Sequence, residues 1–419
     1  MPTSDTKNEV GSRASVPLLP KAKISFLQAT YGAPPMEWQD IGAEIPAGAE
    51  KEVQSKARQE GEATRKQLRE YLHSVLTTPN LVVLAGSGAS LGKVGGPSMR
   101  QLWEKASELP KFKEILTVVK QPHKDEWIEN LLSRCKTAKQ FLDDSVAAKV
   151  KCFLDASEEM IWETCSGFIE AADLEAHKTF LRRMARRRLR APRLKLFTTN
   201  YDLCFETAGG ELGITMIDGF SFSQPQRFDP RFFNYDVVRR AKHTDDSHDF
   251  VEGVIQILKL HGSVDWHYTP KGIIQMMEKP TNPCLIYPVS TKYELSYSQP
   301  HLELMSQFQS VLREPNTCLV TIGFGFSDNH LSASIMAAVE SNPSLKLLAV
   351  DSAAESKSED ITSIYSKLRQ KIAIGEADIE LLNAEFAQFA ELIPQLRALS
   401  PAEQIEHSVS QIARESWPC

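Results

Sequence analysis

Leu81-Val82-Val83-Leu84-Ala85-Gly86-Ser87-Gly88-Ala89-Ser90 is the stretch from which the fold is read. Five apolar residues run without a polar break into a turn of glycine and serine. A run this short, bounded by a turn signal, reads as a strand buried on both faces that enters a loop and then a helix. The pattern recurs outward along the chain. Leu194–Phe197 runs into Thr198-Thr199-Asn200, and Val254–Leu260 into His261-Gly262-Ser263. Thr317–Ile322 runs into Gly323-Phe324-Gly325, and Leu345–Val350 into Asp351-Ser352. Helical segments separate most of these runs. Strands alternating with helices predict an α/β fold, a Rossmann-like parallel sheet with helices on both faces. In such sheets ligands lie outside the carboxyl ends of the strands, where the strand order reverses. Each of these runs ends in a polar, glycine-rich or histidine-bearing turn, so the turns are the candidate site.

The flanking regions read more simply. Residues 1–50, rich in Pro, Gly, Ala and Ser, form an N-terminal arm with one extended piece at Ile24–Leu27. Residues 51–77 have Leu68, Tyr71, Leu72 and Leu76 at helical spacing, and Thr77-Thr78-Pro79-Asn80 ends that helix. No strand is evident in 101–190, where Glu126–Leu142 and Ser145–Ile169 read as helices of an insertion beside the sheet. Residues 220–250 are polar and aromatic, the composition of a long binding loop. Residues 359–399 read as helical, with Leu381, Leu382, Phe386, Phe389 and Leu392 as an apolar stripe, so 356–419 is expected to be a C-terminal helical extension.

Composition narrows the class. The chain has 419 residues, 42% hydrophobic and 24% charged, which excludes wholesale disorder and allows a full core. A net charge of −6 argues against a general nucleic-acid coat and makes direct nucleic-acid binding an unfavoured expectation, while leaving room for a local basic patch. No apolar run reaches the length of about 18 residues that a membrane span needs. The N-terminus lacks the apolar stretch of a secretory leader. Seven cysteines stand at irregular spacing with no close pair, so reduced thiols, a cytoplasmic location and no structural zinc ribbon are expected.

Each candidate motif has two readings. Gly86-Ser87-Gly88-Ala89-Ser90 is either a glycine turn or a loop that lets a phosphate approach the backbone. It is no Walker loop, because Ser87 and Val94 stand where Gly and Ser or Thr are needed. Asn200 and Asp202 are either helix caps or groups projecting into the crevice. His261 is either a hydrogen-bonded structural residue or a general base. Asp328 caps the next helix, while Gly323, Gly325 and Ser327 are placed to meet a ribose or phosphate. Asp351 suits a ribose hydroxyl pair or a solvated turn. Arg182, Arg183, Arg186, Arg187, Arg188 and Arg190 read as a solvated or subunit-facing helix surface over 177–190.

Taken in order, these motifs resemble the sirtuin family, and especially its branch of NAD hydrolases in bacterial anti-phage defence. The family's Gly-Ala-Gly-x-Ser loop is similar to Gly86-Ser87-Gly88-Ala89-Ser90, and its Gly-Ile-Pro-Asp-Phe-Arg segment resembles Gly95-Gly96-Pro97-Ser98-Met99-Arg100. Its Gln-Asn-Ile-Asp resembles Thr199-Asn200-Tyr201-Asp202, its catalytic His-Gly resembles His261-Gly262, and its late Gly-x-Ser loop resembles Gly323-Phe324-Gly325. The resemblance covers roughly residues 78–355. It departs from the family where Ser98 and Met99 replace Asp and Phe, where Gly325 replaces Ser, and in lacking the four zinc cysteines.

The resemblance implies an NAD-binding catalytic domain over 51–355, with NAD as substrate and no metal. It implies Asn200 and His261 as catalytic residues, and Gly86, Ser87, Gly88 and Ser90 at the pyrophosphate with Arg100 nearby. Asp202 would stabilise the nicotinamide pocket, Gly323, Ser327 and Asp351 would hold the adenosine half, and Thr199, Gly325 and Asp328 are further NAD-binding residues. Hydrolysis of NAD is favoured over the alternatives: protein deacylation, ADP-ribosyl transfer, or a non-catalytic nucleotide-binding subunit. A homo-oligomer gated by a partner such as a HerA-like ring ATPase is also implied.

Overall fold

A computed structural model describes residues 24–28, 38–41, 51–122, 124–187, 191–239, 249–276, 278–279, 282–286 and 299–396. The strands in chain order are β1 (Ser25–Gln28), β2 (Gln39–Asp40), β3 (Asn80–Ala85), β4 (Leu194–Thr198), β5 (Thr215–Ile217), β6 (Val238–Arg239) and β7 (Asp249–Phe250). They continue as β8 (Val254–Lys259), β9 (Gly262–Thr269), β10 (Gly272–Gln275), β11 (Pro283–Leu285), β12 (Thr317–Ile322), β13 (Lys346–Asp351) and β14 (Asp378–Asn383). The helices are α1 (Lys51–Leu76), α2 (Met99–Ser107), α3 (Phe112–Val118), α4 (Ile128–Ala138), α5 (Asp144–Ser166), α6 (Glu175–Met184) and α7 (Cys204–Glu211). They continue as α8 (His301–Val311), α9 (Asn329–Ser341), α10 (Ala354–Glu359), α11 (Ile364–Ile374) and α12 (Phe386–Leu392).

The main sheet runs in the order β2-β1-β14-β13-β12-β3-β4-β8-β5. From β14 to β5 every neighbouring pair is parallel, while β1 pairs antiparallel with β14 and with β2. The five apolar runs of the sequence are the five central strands, β13, β12, β3, β4 and β8. From β3 the chain builds outward to β4 and β8 on one side, then returns to β12 and β13 on the other. The strand order therefore reverses between β3 and β12, the place beside which ligands of such sheets lie.

Alternation along β3 shows why the run lacks polar breaks. Leu81 and Val83 face one core, with Leu68, Leu72 and Leu76 of α1, Phe180 of α6 and Phe389 of α12. Val82 and Leu84 face the other core, with Phe308 of α8, Ile335 of α9 and Leu368 of α11. Both faces are covered, and each Val, Leu or Phe so buried contributes about 1.5–3 kcal/mol.

Helices α2 to α5 hold a third core of their own, around Leu131, Leu132, Phe153 and Ile161. That core includes Val264 of β9 and Leu285 of β11, with Tyr201 and Leu203 packed against it. The indole Nε1–H of Trp162 donates to the Val264 carbonyl at 2.8 Å. The helical module thus sits on the carboxyl-end side of the sheet, beside the Asn200 loop. Helix α6 lies within the expected insertion 101–190 but packs on the sheet instead.

Two expectations are corrected. Residues 378–383, read within the helical extension 356–419, form strand β14, which pairs with β13 along its full length. Leu381 and Leu382 point to opposite cores rather than along one stripe. A short apolar run carries no period that separates strand from helix, and burial between β13 and β1 decided it. The second correction concerns two of the arginines, since Arg182 and Arg186 are exposed as expected while Arg183 and Arg187 are not. Helix α6 ends at Met184, and the Arg183 guanidinium donates to the carbonyls of Ala390, Glu391 and Ile393. Arg187 donates to the carbonyls of Leu76, Thr78 and Pro79. These arginines satisfy the open carbonyls where α12 and α1 end, a need visible only once the helices are docked. Arg188 and Arg190, like the arm residues 1–23 and residues 397–419, lie outside the described residues.

Candidate functional site

The glycine loop after β3 meets the loop after β12 backbone to backbone. Gly86 N–H donates to the Ile322 carbonyl and Gly88 N–H to the Gly323 carbonyl, both at 2.9 Å. A Cβ on Gly86 would lie 2.5 Å from Phe324 Cα, and one on Gly88 would lie 2.6 Å from Gly323 Cα. The glycines are needed because two loops cross at the switch point with no room for a side chain. Ala89 N–H and Ser90 N–H turn back onto the carbonyls of Gly86 and Ser87, at 3.0 and 2.9 Å. The amides of Gly86, Gly88, Ala89 and Ser90, the groups a phosphate cradle would use, are therefore occupied by protein carbonyls.

Ser90 acts through its side chain. Its hydroxyl donates to Asp202 Oδ2 at 2.8 Å and accepts from Asn200 Nδ2 at 2.9 Å. All three side chains are buried. Asp202 Oδ1 accepts from Cys204 N–H at the start of α7, at 3.1 Å. The loop begins with Thr198, whose hydroxyl donates to the Ala85 carbonyl at 3.0 Å and accepts from Asn200 N–H at 3.1 Å. Thr199 contributes its amide, which donates to the same Ala85 carbonyl at 3.1 Å. Asp202 supports the helix start with one oxygen and holds the Ser90 hydroxyl with the other.

Lys259, the last residue of β8, was not among the expected site residues. Its buried ammonium donates to the carbonyls of Tyr201 and Asp202 and to Glu206 Oε1 at 2.9 Å. Burial alone would lower its pKa, but Glu206, Asp265 and Asp202 together raise it, so it stays charged. A charge inside the run 254–260 was the sequence signal for this clamp.

His261 follows Lys259 and Leu260. The register pairs Thr198 with Lys259, so Asn200 and His261 stand two residues past the same rung of adjacent parallel strands. Leu260 N–H donates to the Thr198 carbonyl at 2.8 Å and ties the two strand ends together. Gly262 has φ +85, and a Cβ there would lie 2.0 Å from the Cys284 carbonyl oxygen, so β11 passes directly against it. The imidazole Nε2 of His261 lies 3.2 Å from Asp328 Oδ2, with both side chains largely buried. Behind it His301 Nδ1 lies 3.1 Å from the Leu260 carbonyl, and burial pushes the His301 pKa down to about 4.

Across the crevice, Gly323, Gly325 and Phe326 all have positive φ, which turns the loop after β12. Asp328 caps α9, with Oδ1 accepting from His330 N–H and Leu331 N–H at 3.0 and 3.3 Å. A Cβ on Gly325 would lie 3.7 Å from Ser327 Oγ and from Lys357 Nζ, and 4.0 Å from Asp351 Oδ2. Asp351 is buried and accepts from Lys357 Nζ at 2.7 Å, Tyr365 Oη at 3.0 Å and Ala353 N–H at 2.8 Å. Lys357 and Tyr365 carried no motif in the sequence, since they sit in helices whose approach depends on the fold. Arg100 is not drawn into this cluster by any described contact. It pairs with Glu104 at 3.1 Å on the surface of α2, with 85% of its side chain exposed. Ser98, next to it, caps α2 in a reciprocal box with Gln101.

Among the described residues, no group of three or more His, Cys, Asp or Glu is placed to hold a metal ion. Among them, too, no helix is long and apolar enough to cross a membrane. The arrangement gathers two loops, from β4 and β8, that carry Asn200 and His261 at the same level of adjacent strands, with a third loop from β12 closing on the imidazole.

Residues 195–371, from β4 to α11, match the family model of the SIR2-like domain. That stretch holds Asn200, Asp202, His261, Asp328 and Asp351 but not the Gly86–Ser90 loop. No curated protein matches the chain. Solved structures similar to it include a Sir2 homologue in complex with NAD, at 12% identity, covering 77% of this chain and 91% of that one with a TM-score of 0.42. Another is a Sir2 homologue mutant in complex with ADP ribose, at 12% identity, 78% and 95% coverage and a TM-score of 0.41.

Proposed function

We propose that this protein hydrolyses NAD at the bond between nicotinamide and ribose. One observation carries the reading: Asn200 and His261 stand at the same edge of adjacent strands, each held by a neighbouring polar group. The match of residues 195–371 to the SIR2-like domain supports it.

Nicotinamide leaves as a neutral base, so the difficulty lies in the positive charge that builds on the ribose. A water oxygen forms a bond to the ribose C1′, and the C1′–nitrogen bond breaks with its electron pair passing to nicotinamide. His261 takes a proton from the water and returns it to solvent. The products are nicotinamide, ADP-ribose and one proton. Asn200 orients the water and the ribose hydroxyls, and Asp202 borders the nicotinamide side. Gly323, Gly325, Ser327 and Asp351 belong to the adenosine half. Gly86 and Gly88 serve by letting the two loops meet, while Ser87 remains the loop's candidate for the pyrophosphate. The helices α2 to α5, resting against Tyr201, keep bulk water from the crevice.

An unrestrained NAD hydrolase depletes a cell, so the activity is gated, as befits an effector of anti-phage defence. Its setting is a homo-oligomer paired with a HerA-like ring ATPase. Light scattering with the two proteins together tests this, and a lone monomer under all conditions opposes it. The catalytic test is NAD incubated with the protein, with and without acetylated peptide. Nicotinamide and ADP-ribose in equal amounts without peptide support hydrolysis. Nicotinamide release only with peptide makes the protein a deacylase, and no turnover with partner present makes it a binding subunit.

A further inference from the structure

We infer that Asp328 is a positioning residue that fixes the tautomer of His261, rather than a contact to NAD. The inference rests on the hydrolytic reading above and gives the imidazole its orienting partner. Asp328 divides its carboxylate. Oδ1 caps α9 through two backbone amides, and Oδ2 lies 3.2 Å from His261 Nε2. The carboxylate is therefore held from one side by a helix while it holds the ring from the other.

The path of the chain shows that this contact is built in. In the sheet, β12 and β8 are separated by β3 and β4, so the loop after β12 must cross the crevice to reach His261. It does so through positive φ at Gly323, Gly325 and Phe326. Such a φ is unusual for a bulky side chain. Phe326 is kept there by ring contacts to Phe324 and Tyr365, each at 5.3 Å between centroids, and by Ser332 Oγ donating to its carbonyl at 3.1 Å. A cap for α9 alone would not require the loop to reach the far strand.

The chemistry follows from where the proton sits. A proton on Nε2 would face the carboxylate 3.2 Å away and leave Nδ1 as the basic nitrogen of the neutral ring. When that nitrogen takes a proton, the carboxylate stabilises the imidazolium, as an orienting acid does in any base–orienter pair. His301, the other imidazole facing His261, is uncharged at neutral pH and does not oppose that charge.

The tests separate this inference from the reading beneath it. Asp328→Asn keeps a good helix cap but removes the carboxylate charge. It is expected to lower kcat about a hundredfold with KM for NAD unchanged and the melting temperature retained. In the His261→Ala background the same change should cost nothing more, because the two residues act as one unit. Nitrogen NMR of the His261 ring in the unmodified protein should show the Nε2–H tautomer, and this needs no turnover. Full kcat in Asp328→Asn, a raised KM alone, a further loss in the double variant, or an Nδ1–H tautomer each overturns the inference. If the unmodified protein with its partner releases no nicotinamide, the hydrolytic reading fails by itself, and the tautomer still decides the contact.

Discussion

The loops after β3 and β4 look alike in sequence, both short, polar and placed at strand ends, yet they hold themselves together by opposite means. Gly86–Ser90 uses backbone: its amides are taken by the carbonyls of Gly86, Ser87, Ile322 and Gly323. Thr198–Asp202 uses side chains: Ser90, Asn200, Asp202 and Lys259 interlock around it. The backbone-bound loop tolerates no Cβ at its two crossing glycines, Gly86 and Gly88, whereas the side-chain-bound loop depends on each donor and acceptor. The first is a hinge pin for the switch point. The second is the device that aims Asn200.

The largest effect that would break this contrast is expected at the clamp. Lys259→Met leaves half-buried Glu206 and two buried carbonyls without their partner, which should cost about 3 kcal/mol in denaturant unfolding. Nicotinamide release should fall with it, and an unchanged unfolding midpoint would mean that the loop is held without the ammonium.

Gly323→Ala tests the backbone side. Its Cβ would lie 2.5 Å from Gly88 Cα at φ +55, and the clash plus the strained backbone should cost about 2–3 kcal/mol. A stability loss under half of that would show that the loops part easily. A smaller effect is expected for Ser90→Ala, about 1–2 kcal/mol, because Asp202 loses a donor and Asn200 an acceptor. Turnover should drop about tenfold at unchanged KM, and no loss of turnover would separate Ser90 from the site.

The smallest effect sharpens the comparison from outside. His177 of α6 is fully buried among Phe180, Phe205 and Phe386, with neither ring nitrogen hydrogen-bonded. Burial pushes its pKa down to about 4 from the usual 6.5. The folded protein keeps this ring neutral, so its contribution to stability is full above about pH 6.5 and is lost as pH falls toward 4. His177→Phe should be neutral or stabilising by up to about 1 kcal/mol at pH 7, since no hydrogen bond is given up. It should also flatten the acid slope between pH 6.5 and 4, and a marked destabilisation at pH 7 would reveal a partner for the ring.

Much of this architecture was open to inspection in the chain. The runs at 81–85, 194–197, 254–260, 317–322 and 345–350 became the central strands, and Ile24–Leu27 anticipated β1 within one residue. Residues Asn200, Asp202, His261 and Asp328 were singled out because polar groups at strand ends of a parallel sheet converge. The misses share one cause. Strand β14, the carbonyl-binding Arg183 and Arg187, and the Lys357–Asp351–Tyr365 group depend on which elements become neighbours. Local pattern carries no record of that. Lys259 was the exception, a charge within a buried run whose oddity was there to be noticed.

Local chemistry in the chain determined which segments are buried strands, where they end, and which side chains those ends carry. Burial and alternation act within a few residues, so a linear string records them. Only the folded arrangement decided that the glycines serve loop crossing, that Ser90 joins Asn200 to Asp202, and that Asp328 reaches His261 across two strands. Those outcomes depend on distances between residues far apart in sequence, and packing, not pattern, sets such distances.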